Sequence, residues 1–303
     1  MPAPLKDHQF EIMRHDHAAD GFLFGIGTDL PVEAGGFKPG EQGWIVQDTE
    51  NSRRGTVNFG RDARSGGAEW TWEAFTNKED PEGALRVLDL FTSYWGRHEV
   101  YGEGRMQRLR YRVAGRERCI FGRPRRYSAP PNNMILNGLV PVSFAFKPVD
   151  AFTYSDEEHT ETLRYYSDAV GGGMVFPVTF PIDTMPSEGL GAATISVDGN
   201  ARSYPRIRFK GPWTNPSINA GRWKIQWTGS IPINGWVEVD ARPWALTAKN
   251  QSGASVAGGL THSTWLEDCW LAPGEPQGFQ LGGSSPGGGA ECDISWRDAW
   301  TTW

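Results

Sequence analysis

The most regular alternation along the chain lies where Leu109, Tyr111 and Val113 interleave with Arg108, Arg110 and Arg112. A period of two predicts a half-buried strand, with one apolar face and one guanidinium-rich face. Trp70 and Trp72 alternate in the same way with Glu69, Thr71 and Glu73, and Val140, Val142, Phe144 and Phe146 mark a further strand. Thr56 to Phe59 is another strand candidate. The arginine strand and the strand from Val140 to Phe146 are expected to pair around the turn at Pro130 and Pro131.

One stretch has helical period instead. Asp80 precedes Pro81 and Glu82, which is the order of a capping side chain, a residue that fits the first helical position, and an acid at the positive end of the dipole. Leu85, Leu88, Phe91 and Trp95, with Ala84 and Val87, then form an apolar stripe, and Gly96 is a stop signal. A helix from Pro81 to Trp95 packed on a sheet is expected.

The second half repeats short alternating runs: Ile195 and Val197, Ile207 and Phe209 between Arg206, Arg208 and Lys210, Ile225 and Trp227, Val237 and Val239. Gly-, Pro- and Asn-containing turns separate them, as in an antiparallel sandwich or jelly roll. Asp156, Glu157, Glu158 and Glu161 form an acidic stretch between the halves. The expected domains are residues 1–155 and 156–303.

Composition supports this reading, since 38 glycines, 21 prolines and 14 tryptophans suit many short strands and tight turns around an aromatic core. The chain is long enough at 303 residues for two ordinary domains. Its net charge of -6 opposes a nucleic-acid coat, because phosphate binding needs a positive face. Arg105, Arg108, Arg110, Arg112, Arg116, Arg118, Arg123, Arg125 and Arg126 therefore read as structural or subunit-contact groups that pair with carboxylates. Cys119, Cys269 and Cys292 are widely spaced and imply neither a disulfide framework nor a zinc site. No apolar leader opens the sequence and no run reaches membrane-span length, so a soluble protein of a cytoplasm-like compartment is expected.

Chemistry is sparse. No phosphate loop, dinucleotide fingerprint, zincin motif or nucleophile elbow occurs, and Gly282 to Gly287 reads as a glycine turn. His15 and His17 flank Asp16 without a third ligand nearby, which favours a solvated segment over a metal site. Pairs drawn from Glu238, Asp240, Glu267, Asp268, Glu291, Asp293 and Asp298 are what any acidic β-protein offers. Neither a cofactor nor catalysis is implied. Ten of the 14 tryptophans fall from Trp213 onward, so a sugar-stacking platform is the alternative, with Trp213, Trp236 and Trp244 as candidate glycan contacts. Core or interface roles are the preferred reading of these tryptophans.

The run from Arg112 through Cys119 and Phe121 to Tyr127, followed by Pro141 to Tyr154, carries more than a charge pattern. With Tyr204 to Ile218, Leu271-Ala272-Pro273-Gly274 and Ser295 to Trp300, it resembles the distal tail proteins, or minor tail proteins, of siphophages infecting actinobacteria. Glu275 and Pro276 stand where that family often has Asn. The resemblance implies an N-terminal β-sandwich belt domain with one α-helix and a C-terminal galectin-like sandwich. It also implies a hexameric ring in the virion tail tip, assembled in the host bacterial cytoplasm, that joins the tail tube protein to the baseplate hub. Tail-associated proteins and the tape measure protein are the implied partners, with no nucleic-acid recognition and no membrane. Arg108, Arg110, Arg112, Arg116, Arg118, Arg123, Arg125 and Arg126 become candidates for subunit or tail contact.

Overall fold

The computed structural model describes residues 3–15, 20–41, 44–45, 48–51, 56–59, 63–64, 67–96, 106–165, 192–261, 265–285 and 288–303, with backbone alone for the four short segments between 44 and 64. Arg105, Asp16, His17, Pro286 and Gly287 lie outside the described residues. The chain divides into two compact units, Met1–Asp156 with Trp300–Trp303, and Glu157–Ala299.

The first unit contains β1 (Gln9–Met13), β2 (Gly21–Gly25), β3 (Val32–Lys38), β4 (Trp44–Ile45), β5 (Asp48–Asn51), β6 (Thr56–Phe59), β7 (Ala63–Arg64), β8 (Trp70–Phe75), α1 (Pro81–Trp95), β9 (Gln107–Val113), β10 (Arg116–Ser128), β11 (Pro141–Pro148) and β12 (Thr153–Ser155). Its main sheet runs β2-β1-β9-β10-β11-β8-β3, with β12 beside β10, while β4 pairs β7 and β5 pairs β6. Trp72 is fully buried at the centre, stacked on Phe144 at 5.6 Å and edge-on to Trp95 at 6.2 Å. Offset and edge-to-face rings of this kind add to the area they bury, so the sheet and helix share one aromatic core.

The helix begins as its sequence predicts: the Asp80 side chain accepts a hydrogen bond from Gly83 N, Pro81 is the first helical residue, and Gly96 closes the end. Its buried stripe is Ala84, Val87, Leu88, Phe91, Tyr94 and Trp95. Leu85, expected in that stripe, is 47% exposed. At 3.6 residues per turn Leu85 lies about 120° to one side of Phe91, while Tyr94, about 60° to the other side, joins the buried arc.

The arginine run is two strands rather than one. It folds back at Ala114 and Gly115, whose φ values of 52° and 76° form the left-handed turn that a two-residue hairpin requires. β9 and β10 then pair antiparallel from Val113↔Arg116 to Gln107↔Gly122. The expected pairing with the Val140–Phe146 strand is made by the second of them, β10, through Phe146↔Pro124 and Phe144↔Tyr127.

The second unit contains β13 (His159–Tyr165), β14 (Ala192–Ile195), β15 (Arg206–Lys210), β16 (Trp213–Asn219), β17 (Lys224–Gln226), β18 (Ser230–Ile231), β19 (Trp236–Asp240), β20 (Thr247–Asn250), β21 (Gln277–Ser284) and β22 (Ala290–Trp296). One sheet runs β13-β22-β15-β19-β20; the other runs β14-β21-β16-β17, with β18 on β16. Ile207, Phe209, Val237, Val239 and Ile294 of the first sheet and Ile218, Phe279 and Leu281 of the second share one core. The alternation around β15 holds, because Ile207 and Phe209 point inward while Arg206, Arg208 and Lys210 pair with Glu158, Glu238 and Asp293. This is a mainly β architecture, as composition and patterning indicate. The closing residues 300–303, grouped with the second half from sequence, belong with the first unit.

Candidate subunit-contact surface

β9 and β10 separate the arginines into two groups. Leu109, Tyr111 and Val113 point into the first unit's core, so Arg108, Arg110 and Arg112 emerge on the opposite face of β9. That face is covered too: Arg108 is 6% exposed and Arg110 1%. The guanidinium of Arg110 is enclosed by carboxylates, with Nε donating to Asp156 Oδ2 at 2.8 Å and Nη2 to Glu117 Oε1 at 2.8 Å. Nη1 donates to Glu11 Oε2, and Nη2 also reaches the Ala3 carbonyl at 3.3 Å. Burial pulls the pKa of Arg110 down, but attraction to Asp156 and Glu11 outweighs it and leaves the group raised. Arg110 therefore stays charged and bonded inside its own chain.

Arg108 lies at the edge of the same cluster, 4.0 Å from Asp156. Arg112 is half-buried, donating to the Leu5 carbonyl at 3.2 Å, with Glu117 at 3.8 Å. Arg118 of β10 is also buried; it donates to the Thr302 carbonyl at 2.7 Å and lies over the Trp300 ring at 4.2 Å. Burial, assisted by Arg116, holds its pKa below the usual arginine value against the opposing influence of Tyr111. The Thr153 hydroxyl donates to the same Thr302 carbonyl at 2.7 Å, so residues 300–303 are fastened to the first unit by polar as well as apolar contacts.

Arg108, Arg110 and Arg118 are thus buried within their own unit. Sequence reading found these arginines but not their partners. Glu11 lies 99 residues from Arg110 in sequence, and its signal was the alternating run Gln9–Met13. Asp156, 46 residues away, stood out only as part of an acidic boundary.

The remaining arginines form an outer group. Arg116, Arg125 and Arg126 are exposed and Arg123 is half-buried. Arg126 has one long ion pair among the described residues, to Glu69 at 3.5 Å. Arg116 sits at the hairpin end of β10, whereas the end that carries Arg125 and Arg126 lies against the helix, since Tyr127 packs on Phe91 at 5.9 Å and Trp95 Nε1 donates to the Arg126 carbonyl at 3.2 Å. Beside the same helix, the 3-10 turn Asn133–Asn137 exposes Met134 and Leu136, the latter at 72%. Leu85 adds a third exposed apolar side chain. Exposed apolar side chains and arginines on one unit are the composition of a protein contact surface.

Trp265 is 72% exposed and Trp303 50%, but the tryptophans expected as glycan contacts are not. Trp213 is 1% exposed between Tyr165 and Phe209, Trp244 is buried beside Arg242, and Trp236 is half-buried under Arg208. Trp213 of β16 and Trp244 of the turn after β19 are therefore core, while Trp236 alternates outward from Val237 and Val239. The three cysteines are free and buried, and burial pushes Cys269 up to about 12 and Cys292 well above the ordinary thiol value, so neither is a nucleophile at neutral pH. Among the described residues no cluster of three His, Cys, Asp or Glu side chains is arranged to hold a metal, and no helix is long and apolar enough to cross a membrane.

No family model matches the chain, and no curated protein matches it. Among solved structures it is similar to the Dit protein of phage SPP1, a paradigm of hub adsorption apparatus in phages infecting Gram-positive bacteria, with a TM-score of 0.56 at 11% identity over 96% of this chain and 98% of that one. It is also similar to chains of the phage P2 baseplate in its activated conformation with Ca and with Sr, with TM-scores of 0.55 and 0.54, each at 11% identity over 95% of this chain and 97% of the other. At that identity the likeness is one of fold, and it runs from end to end.

Proposed function

We propose that the chain is a structural protein of a phage tail tip, where copies close into a six-membered ring joining the tail tube to the baseplate hub and carrying other tip proteins. The observation that carries this reading is the end-to-end likeness to a phage hub protein, 96% of one chain on 98% of the other, which spans both units in order. A shared fold alone does not fix a function. The family motifs spread across both halves of the sequence support the reading independently, including the actinobacterial host.

A cyclic ring uses heterologous contacts, in which one patch of each copy meets a different patch of the next. Arg125 and Arg126 with Met134, Leu136 and Leu85 are the candidates for one such patch, while Arg108, Arg110 and Arg118 hold the scaffold within the unit. Electron-microscopy class averages of the purified protein, together with native mass spectrometry, test the proposal. Closed rings with an open centre are expected, and Leu136→Glu combined with Arg125→Glu is expected to leave folded monomers. A protein that stays monomeric at high concentration and is absent from purified tail tips would overturn it.

A further inference from the structure

Trp270 of the second unit is a half-buried indole whose backbone is tied down twice. Buried Trp223 donates its Nε1–H to the Trp270 carbonyl at 2.9 Å, and the next residue, Leu271, exchanges two backbone hydrogen bonds with Ser203, at 2.8 and 3.2 Å. These ties also position two arginines. Arg222 immediately precedes Trp223 in the β16–β17 turn, where Gly221 takes a left-handed φ of 76° and Ala220 N donates to the Trp223 carbonyl at 2.9 Å. Arg202 immediately precedes Ser203. The guanidinium carbons of Arg202 and Arg222 lie over the one Trp270 ring, at 4.4 Å and 5.0 Å from its centre.

The charge gathered at this ring is not balanced within the unit. The exposed side chain of Arg202 makes no ion pair or hydrogen bond among the described residues, and Arg222 has one ion pair, to Glu275 at 3.6 Å. Glu275 is 69% exposed, so water weakens that attraction. Two guanidiniums against one loosely held carboxylate leave a positive site on a chain of net charge -6. The Trp270 indole N–H also donates to no group among the described residues.

The chemistry of these side chains selects a ligand. A guanidinium stacked on an aromatic face keeps its in-plane N–H groups for an oxyanion. Glu275 apart, the site offers donors without acceptors, whereas a ligand rich in hydroxyl groups needs both. Ionised carboxylates only accept, and they match the guanidinium fork bidentately. A nucleic-acid strand would call for a longer run of cations to neutralise successive phosphates. Two arginines at one ring match the side chains of a short acidic segment.

We propose that Arg202, Trp270 and Arg222 form a docking site for an acidic peptide segment of another protein, with a carboxylate on each guanidinium and Glu275 as the internal competitor displaced from Arg222. The inference uses the second unit alone and does not rest on ring formation. Fluorescence anisotropy of labelled hexaglutamate titrated with the full chain at low salt tests it, with hexaglutamine and a six-residue oligothymidylate as comparison probes. Hexaglutamate is expected to bind at least about tenfold more tightly than hexaglutamine, the scale of one charge-assisted hydrogen bond, and to be released as salt is raised. Arg202→Ala and Arg222→Ala are each expected to weaken it about tenfold, and Arg222→Lys, which keeps the charge without the planar fork, to recover part of that loss. Glu275→Gln is expected to tighten binding severalfold, because the competitor is gone. Lys249→Ala removes an exposed cation of β20 and is the charge control, expected to change binding less than about twofold. The proposal fails if hexaglutamate does not bind, if binding survives in the Arg202→Ala/Arg222→Ala double variant, or if the oligothymidylate binds more tightly. Self-association of the parent that the double variant loses in sedimentation velocity would put a second copy in the site and overturn the partner assigned. Should an arginine variant melt early, unchanged or weaker binding by Glu275→Gln overturns the proposal by itself.

Discussion

Replacing Arg110 by alanine isolates the role of the buried guanidinium cluster. The side chain is 2% exposed, and three carboxylates, those of Glu11, Glu117 and Asp156, lie 15%, 24% and 16% exposed around it. Removing the cation leaves these acids facing one another across a void. Breaking a buried ion pair from one side costs about 3–5 kcal/mol. The carboxylates keep some contact with water, so the lower end, about 3 kcal/mol, is expected. For a unit of this size that is a fall of about 6–12 °C in melting temperature. The two units have separate cores, so calorimetry is expected to show the first unit's transition moving while the second stays in place. Arg125→Ala, on the exposed end of β10, is the control and is expected to change stability by less than about 0.5 kcal/mol. A first transition within about 2 °C of the parent in Arg110→Ala would refute the structural role assigned to the cluster.

Further outcomes concern single sites. Asp80→Ala removes the helix cap that Gly83 N uses at 2.6 Å, and is expected to destabilise the first unit by about 1 kcal/mol in urea titration. Burial pushes Asp150 up to about 6 from its ordinary 3.8, with hydrogen bonds from Tyr154 and Phe152 pulling it partway back. The native state then holds a proton that the unfolded chain releases, so Asp150 contributes stability below pH 3.8 that is lost as pH rises through about 6. Asp150→Asn is expected to flatten that part of the pH–stability curve, and an unchanged slope would show that Asp150 does not set it. Gly122→Ala would bring a Cβ within 2.1 Å of the Lys147 carbonyl; loss of β10–β11 pairing, read as lost amide-exchange protection, is expected.

Local signals were the legible part of this chain. Asp80, Pro81 and Gly96 fixed the helix ends because caps act within a few residues, and strict alternation marked β8, β9, β11 and β15. Leu85 was misplaced because helical spacing alone does not say where an apolar arc is centred; the sheet decides that. The arginine run showed its period but not its burial, since the partners of Arg110 come from distant elements. Trp213 and Trp244 illustrate the same limit in reverse, because abundance in sequence does not separate a core ring from an exposed one.

The return of Trp300–Trp303 to the first unit sets an order of events during synthesis. Arg118 and Thr153 are made early, yet the Thr302 carbonyl that both bind leaves the ribosome only after all of Glu157–Ala299. At 5–20 residues per second that interval is about 7–30 s. Through that interval the first unit is complete except for one clasp, with a buried guanidinium waiting for its acceptor. Neighbouring copies on a polysome therefore meet as unfinished units, and the clasp closes only when translation of both units is done.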